Sequence, residues 1–211
     1  MTAARRNDEP VVFVVDDDES LRNAVAGLLQ LVGLKAECFS SAQEFLKRTL
    51  PDVPSCLILD VRLPGASGLN VQEDLAKAGI PIPIIFVTAH GDIPMSVRAM
   101  KAGAVEFLPK PFRDQDMLDA VQLALSKDRA RRDREQSNAD VRARFATLTP
   151  REREIMGFVA GGMVNKQIAA KLGLADITVK IHRGSVMRKL EAGSLAELLK
   201  MAQTLGLGGE T

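Results

Sequence analysis

The sequence predicts an α/β unit built on a parallel sheet, followed by a small all-α unit. Three observations carry that prediction. Strand-like and helix-like stretches alternate five times within the first 125 residues. The apolar stretches there, such as Cys56-Leu57-Ile58-Leu59, have the unbroken hydrophobicity of strands buried on both faces. Beyond residue 148 the apolar spacing is helical, with glycine at the breaks.

Taken in order, VVFVVDD leads into an amphipathic run from Ser20 to Leu31, and KAECFS into AQEFLKR. SCLILD precedes a helix over Leu69–Ala78, IPIIFVTA one over Ile93–Ala102, and AVEFLPKP one over Met117–Leu125. Strands alternating with helices of this length make a parallel sheet covered on both faces. The ligand site of such a sheet lies beyond the carboxyl ends of its strands. Asp16 and Asp17 end the first strand, Asp60 the third and Thr88 the fourth, while Lys110 follows the fifth. Turn chemistry accounts for an Asp before Pro64, Gly65 and Gly68. It does not account for a Thr and a Lys arriving at the same edge.

From Arg113 to Thr149 there is neither Gly nor Pro, so the last helix of this unit can run on past Leu125. Between Ser126 and Asn138 only Ala130 is apolar, which reads as a solvated helix or flexible charged linker over 126–147. The second unit, 148–211, opens on Thr149-Pro150-Arg151-Glu152: an N-cap, a proline at the first helical position and a glutamate closing a capping box. Ile155, Phe158 and Val159 give that helix its apolar stripe, and Gly161-Gly162 ends it. Asn165 is the expected cap of a short helix through Leu172, which Gly173 stops. A longer helix follows over Asp176–Leu190, and another from Ser194 to about Leu205. A short helix, a tight turn and a longer helix are the layout of a helix-turn-helix.

The bulk properties exclude several classes. No apolar run in the 211 residues approaches the roughly 20 needed to span a bilayer. MTAARRNDEP has no apolar stretch of the kind a secretory leader needs. Cys38 and Cys56 sit in strand-like runs and read as small core hydrophobes, and a cytoplasmic setting is expected. The net charge of +1 hides an asymmetry: residues 1–125 hold 12 Lys and Arg against 17 Asp and Glu, residues 126–211 hold 16 against 10. A basic second unit suits a polyanionic partner.

Grouped carboxylates repel one another unless a cation joins them. Oxygen-only ligands favour a hard ion, Mg²⁺ (or Mn²⁺). An aspartate can act as a nucleophile toward phosphorus, and a Lys ammonium with a Thr hydroxyl can hold phosphoryl oxygens. VVDDDES, LILDVRLPGASG, IIFVTAHGD and AGAVEFLPKPF resemble the four motif blocks of bacterial receiver domains of two-component response regulators. The resemblance implies a flavodoxin-like (βα)5 fold with Asp60 as phosphoacceptor. It implies a metal held by Asp16, Asp17, Asp60 and the backbone carbonyl of Arg62. Thr88 and Lys110 would bind the phosphoryl group, Lys110-Pro111 would be cis, and Phe107 matches the aromatic switch position, for which core packing is the plain alternative. Arg62 and His90 occupy the positions that tune phosphoryl loss in receivers. Aspartyl-phosphate hydrolases of the haloacid dehalogenase type need a second Asp where this chain has Arg62, which argues against a turnover enzyme.

On a wheel at 100° per residue, Val179, Val186 and Leu190 share one face of the Asp176–Leu190 helix. Ile177, Lys180, Ile181, Gly184 and Arg188 point the other way, as a groove-reading helix would place them, although a basic solvated face has the same composition. LTPREREIMGFVAGGMVNKQIAAKLGLADITVKIHRGSVMRKL is similar to the four-helix DNA-binding domain of the LuxR/NarL type. By that similarity Lys180, Ile181 and Gly184 face bases, and Lys166, Thr178 and Arg188 lie near the DNA backbone. Gly184 removes a side chain the family usually has, and Ala175 stands where a capping Ser is common. His182 is expected to pack or to meet phosphate.

The whole chain resembles the FixJ subgroup. That implies a transcription regulator phosphorylated by a sensor histidine kinase, which binds promoter DNA at paired half-sites as a homodimer formed on phosphorylation. RNA polymerase is a further candidate partner. Release of mutually occluding domains is an alternative switch, and a phosphate sink or protein-binding regulator without DNA binding is the alternative function.

Overall fold

A computed structural model describes residues 9–89 and 93–207. The chain divides into two units, residues 1–132 and 133–211. In the first, five parallel strands follow the order β2-β1-β3-β6-β7, with β1 at Val11–Val15, β2 at Lys35–Phe39, β3 at Ser55–Asp60, β6 at Ile84–Thr88 and β7 at Glu106–Pro109. Leaving aside the short ribbon β4 (Arg62–Leu63) and β5 (Ala66–Ser67), this is the flavodoxin-like order. That ribbon, in the loop after Asp60, has no counterpart among the sequence-based expectations, since two-residue strands leave no periodicity to read.

Period-two alternation sorts the strand residues between two apolar clusters. Phe13, Val15, Leu57, Leu59 and Phe86 pack on one face with Phe45 of α2 (Ala42–Leu46), Leu75 of α3 (Gly68–Lys77) and Ala99 of α4 (Ile93–Lys101). Val12, Val14, Ile58, Ile85 and Val87 pack on the other with Leu29 of α1 (Glu19–Leu31) and Met117 and Val121 of α5 (Asp114–Ala146). Cys56 is buried as expected, but Cys38 is exposed, because β2 is an edge strand with a half-open face. Both thiols are free.

The charged stretch after Leu125 is helical, part of α5. Its reading as solvated fails at Asp128, which is buried because it is bonded to the main chain of β3 and to two arginines.

The second unit holds α6 (Pro150–Ala160), α7 (Asn165–Leu172), α8 (Asp176–Leu190) and α9 (Leu195–Thr204) around Ile155, Met156, Ile168, Val179, Val186 and Leu198. The capping box forms as read: Thr149 Oγ1 accepts the Glu152 N–H at 3.3 Å and Glu152 Oε2 accepts the Thr149 N–H at 2.7 Å. Asn165 is the first residue of α7 and not its cap. The cap is Val164, whose side chain accepts no hydrogen bond; its own N–H is taken by Gln167 Oε1 at 3.0 Å, the reverse half of a capping box. Gly173 ends α7 at φ 65°, a left-handed conformation that suits glycine.

Candidate functional site

Four of the five strands of the parallel sheet deliver one group each to the same edge. Asp16 follows β1, Asp60 ends β3, Thr88 ends β6, and Lys110 follows β7. Asp16, Asp17 and Asp60 each offer an oxygen within 4.8 Å of the others. Lys110 Nζ donates to Asp16 Oδ2 at 2.6 Å and to Asp60 Oδ2. Asp16 is 1% and Asp60 6% exposed, while Asp17 is open to solvent.

The three consecutive aspartates do three different things. Asp16 accepts the Asp18 N–H at 2.9 Å as well as the lysine. Asp17 faces solvent beside the cluster. Asp18 caps α1, accepting from Ser20 N–H at 2.8 Å and Leu21 N–H at 3.2 Å. Arg22 on α1 donates to the Asp16 carbonyl at 2.7 Å and so fixes the loop that carries the cluster. Asp18 was legible as a polar residue ahead of an amphipathic run; nothing in the sequence announces Arg22.

Around Asp60 the second oxygen is also held, since the Arg62 N–H donates to Oδ1 at 2.8 Å. Gly68 allows this tight return of the chain: a Cβ there would fall on the Asp60 carbonyl oxygen and lie 3.1 Å from Val61 Cα. Thr88 is buried next to Val87, which is registered against Asp60, and its carbonyl accepts the Lys110 N–H at 2.8 Å. The Lys110–Pro111 peptide is cis. Phe107 is half-buried, its ring 6.3 Å from that of Phe86 and packed against the sheet. His90 lies outside the described residues.

Burial lifts the Asp16 carboxyl above the usual carboxylate range, against the hydrogen bonds from Lys110 and Asp18. Burial also works against the Lys110 ammonium, but its bonds to Asp16 and Asp60 outweigh that and hold it above the ordinary lysine value. The three carboxylates, all hard oxygen donors, fit a divalent ion such as Mg²⁺, and the Asp60 side chain keeps 8% of its surface open at the same edge.

In the second unit α8 buries Val179, Val186 and Leu190 and exposes Lys180, Gly184 and Arg188. Ile177 and Ile181 are each 62% exposed on that outer side. Lys166 on α7 is exposed, while Thr178 and His182 are half-buried. No side chain caps α8, so Asp176 serves its N-terminus by charge. Arg183 donates to Asn165 Oδ1 and ties α8 to the start of α7, a contact that helical spacing alone does not predict. Glu152 is 5% exposed and accepts from Lys189 Nζ at 2.7 Å, which joins α6 to α8.

Residues 12–122 match the family model described as the response regulator receiver domain, and residues 146–202 match that of bacterial regulatory proteins, luxR family. The chain is 58% identical over 197 residues to Nodulation protein W of Bradyrhizobium diazoefficiens, covering 93% of this chain and 87% of that one. It is 41% identical over 199 residues to Transcriptional regulatory protein FixJ of Rhizobium meliloti, covering 93% and 97%. Among solved structures, the response regulator StyR is 47% identical, with a TM-score of 0.80 over 92% of this chain and 98% of that one. Among the described residues, no helix is long and apolar enough to cross a membrane.

Proposed function

Because this chain belongs to the two-component response regulators of the FixJ/NarL family, phosphorylation-dependent transcription regulators with a LuxR-type DNA-binding domain, we propose that Asp60 is its phosphoacceptor and α8 its reader of promoter DNA. What supports the first part is the convergence of Asp16, Asp17, Asp60 and Lys110 at one sheet edge.

An Asp60 carboxylate oxygen attacks the phosphorus of a phosphohistidine on a sensor kinase, or of a small acyl phosphate; the bond to the donor breaks as the acyl phosphate on Asp60 forms. The Arg62 N–H fixes the orientation of the carboxylate. Lys110 exchanges part of its bonding to Asp60 for a phosphoryl oxygen, and the Thr88 hydroxyl meets another. Asp16, Asp17, Asp60 and the Arg62 carbonyl would hold a Mg²⁺ ion, whose charge would neutralise those oxygens. Phe107, packed at the margin of the sheet, repositions with Thr88 and carries the change to the face around α4 and β7. Receivers pair through that face, which presents two copies of α8 to paired half-sites in the cytoplasm. In each copy Lys180 and Ile181 meet bases beside Gly184, and Lys166, Thr178 and Arg188 meet phosphates. RNA polymerase then engages the DNA-bound dimer. The receiver spans 1–125, a charged helical linker 126–147 and the DNA-binding domain 148–211.

The test is selection of bound DNA fragments by the full chain with and without acetyl phosphate and Mg²⁺, alongside intact mass. One added phosphoryl group, lost in Asp60→Ala, and a phosphorylation-dependent, salt-sensitive set of duplexes are expected. A phosphoryl group retained by Asp60→Ala would overturn the acceptor assignment. Phosphorylation without any duplex binding would favour a phosphate sink or protein-binding regulator.

A further inference from the structure

One buried carboxylate of the first unit lies outside the acidic cluster. Asp128 of α5 is 1% exposed. Its Oδ2 accepts the Ser55 N–H at 3.0 Å and Arg132 Nε at 2.7 Å, and its Oδ1 accepts Arg131 Nη2 at 2.6 Å and Nε at 3.1 Å. Arg132 continues to Asp52 Oδ1 at 2.8 Å. Ser55 is the first residue of β3 and Asp60 is its last. One strand therefore carries the acceptor at one end and a clasp on α5 at the other.

Apolar packing does not hold this turn of the helix. From Ser126 to Arg132 the one apolar residue is Ala130, and it is exposed. Beside the clasp lies a cavity of about 440 Å³, with Lys127, Asp128 and Arg131 on one side and Leu75, Ile80 and Ile82 on the other. The helix is thus secured here by directional bonds instead of side-chain interdigitation. Such bonds are lost over a displacement of about 1 Å, whereas apolar contacts weaken gradually. Buried ion pairs contribute little net stability compared with apolar replacements, and their best-attested use is to fix a register or a switch. The helix that Asp128 secures continues to Ala146, past the division between the units at residue 132.

We propose that Asp128 is a positioning residue that couples the state of Asp60 to helix α5 by clasping the opposite end of β3. The proposal rests on Asp60 being the acceptor and on phosphorylation-dependent DNA binding. Phosphorylation pulls on the carboxyl end of β3; the clasp at Ser55 tightens or lets go, and α5 changes its hold at residues 126–132.

The test uses the full chain and Asp128→Ala, Asp128→Leu and Asp128→Asn. Asp128→Leu gives the turn an apolar anchor, and Asp128→Asn keeps an oxygen for the Ser55 N–H should the others fold poorly. Phosphorylation by acetyl phosphate with Mg²⁺ is read by intact mass, duplex affinity with and without phosphorylation by titration, and amide hydrogen exchange over 55–57 and 126–132. The native chain is expected to gain roughly tenfold in affinity on phosphorylation, while Asp128→Ala and Asp128→Leu phosphorylate within about twofold of the native rate but gain less than about threefold. Exchange over both segments is expected to change on phosphorylation in the native chain and not in those variants. An unaltered affinity gain in both variants, or native exchange indifferent to phosphorylation, sinks the clasp while leaving the functional reading intact. If the native chain phosphorylates without any gain in affinity, the functional reading fails instead; exchange over the two segments then decides the clasp by itself.

Discussion

The ammonium of Lys110 stands 2.6 Å from the carboxylate of Asp16, 94 positions earlier in the chain. Neither residue is remarkable in its local sequence; one follows a strand that ends in proline and the other begins a run of acids. Parallel connectivity brings both to one edge, and there the lysine offsets the mutual repulsion of Asp16 and Asp60.

Lys110→Met should therefore strand two buried carboxylates. Removing one partner of a buried pair typically costs about 3–5 kcal/mol, and the partial exposure of this site argues for roughly 2–3. Urea denaturation followed by circular dichroism should show that loss without divalent ions. Added Mg²⁺ should recover much of it, because the ion takes over the balance of charge. A loss that Mg²⁺ leaves unchanged would mean that packing of the lysine stem, not charge, is what the residue contributes.

The same substitution at two glycines should have opposite signs. At Gly68 a methyl group meets the backbone of Asp60 and Val61, which cannot yield as a flexible side chain does. Gly68→Ala should cost about 1–3 kcal/mol and slow phosphorylation of Asp60. At Gly184, inside α8, nothing beyond its chain neighbours and the helix's own backbone lies within 4 Å of a Cβ among the described residues. Gly184→Ala should stabilise the second unit by about 0.5–1 kcal/mol through helix propensity. Thermal unfolding of the two variants in parallel checks both signs.

The difference between these glycines shows what a sequence carries and what it does not. Gly68 appears in the primary order only as one of several turn formers after Asp60, and its closeness to the Asp60 carbonyl emerges once α3 is packed. Strand ends, the capping box of α6 and the buried stripe of α8 are local or periodic, so the residues themselves announce them. Asp128 is the counter-example. It sits in a run of alternating charge that reads as solvated, and its burial depends on Ser55, 73 positions away. Arg22 and Arg183 are similar: each is one more arginine on a helix until a carbonyl or amide oxygen of another segment meets it. The spacing of residues on their own element holds no signal of such partners.

Glu152 gives the second unit a dependence on pH. The hydrogen bond from Lys189 holds its carboxyl below the usual range against the opposing effect of burial, and both the Thr149 N–H and hydroxyl assist. A carboxyl whose folded value lies below its unfolded one stabilises fully above the unfolded value, and that contribution is lost as pH falls through the folded one. Glu152→Gln keeps an oxygen for the Thr149 N–H but loses the charge that meets Lys189, and should therefore cost about 1–2 kcal/mol at pH 7, the scale of a hydrogen bond to a charged group. The gap between native and variant should close as the pH falls below about 4. Denaturation curves at several pH values read this directly, and a gap that persists in acid would assign the cost to shape instead of charge.

Lys180 and Arg188 are both exposed cations on α8, two turns apart, and they should fail differently when removed. Lys180 stands beside Ile181 on the side opposite Val179 and Val186, where an ammonium can meet the acceptors of guanine. Arg188 lies near the end of the helix, where a guanidinium meets phosphate more readily than a base edge. Lys180→Ala should relax the preference at one base pair, worth about 1–3 kcal/mol of discrimination, with a smaller effect on unrelated duplexes. Arg188→Ala should weaken specific and unrelated duplexes alike and flatten the dependence of log affinity on log salt by about 0.9. Competition titrations at several salt concentrations separate the two. If Lys180→Ala also lowers all sequences equally, the lysine is a phosphate contact; base readout would then fall to Ile181, because Gly184 offers no side chain for it.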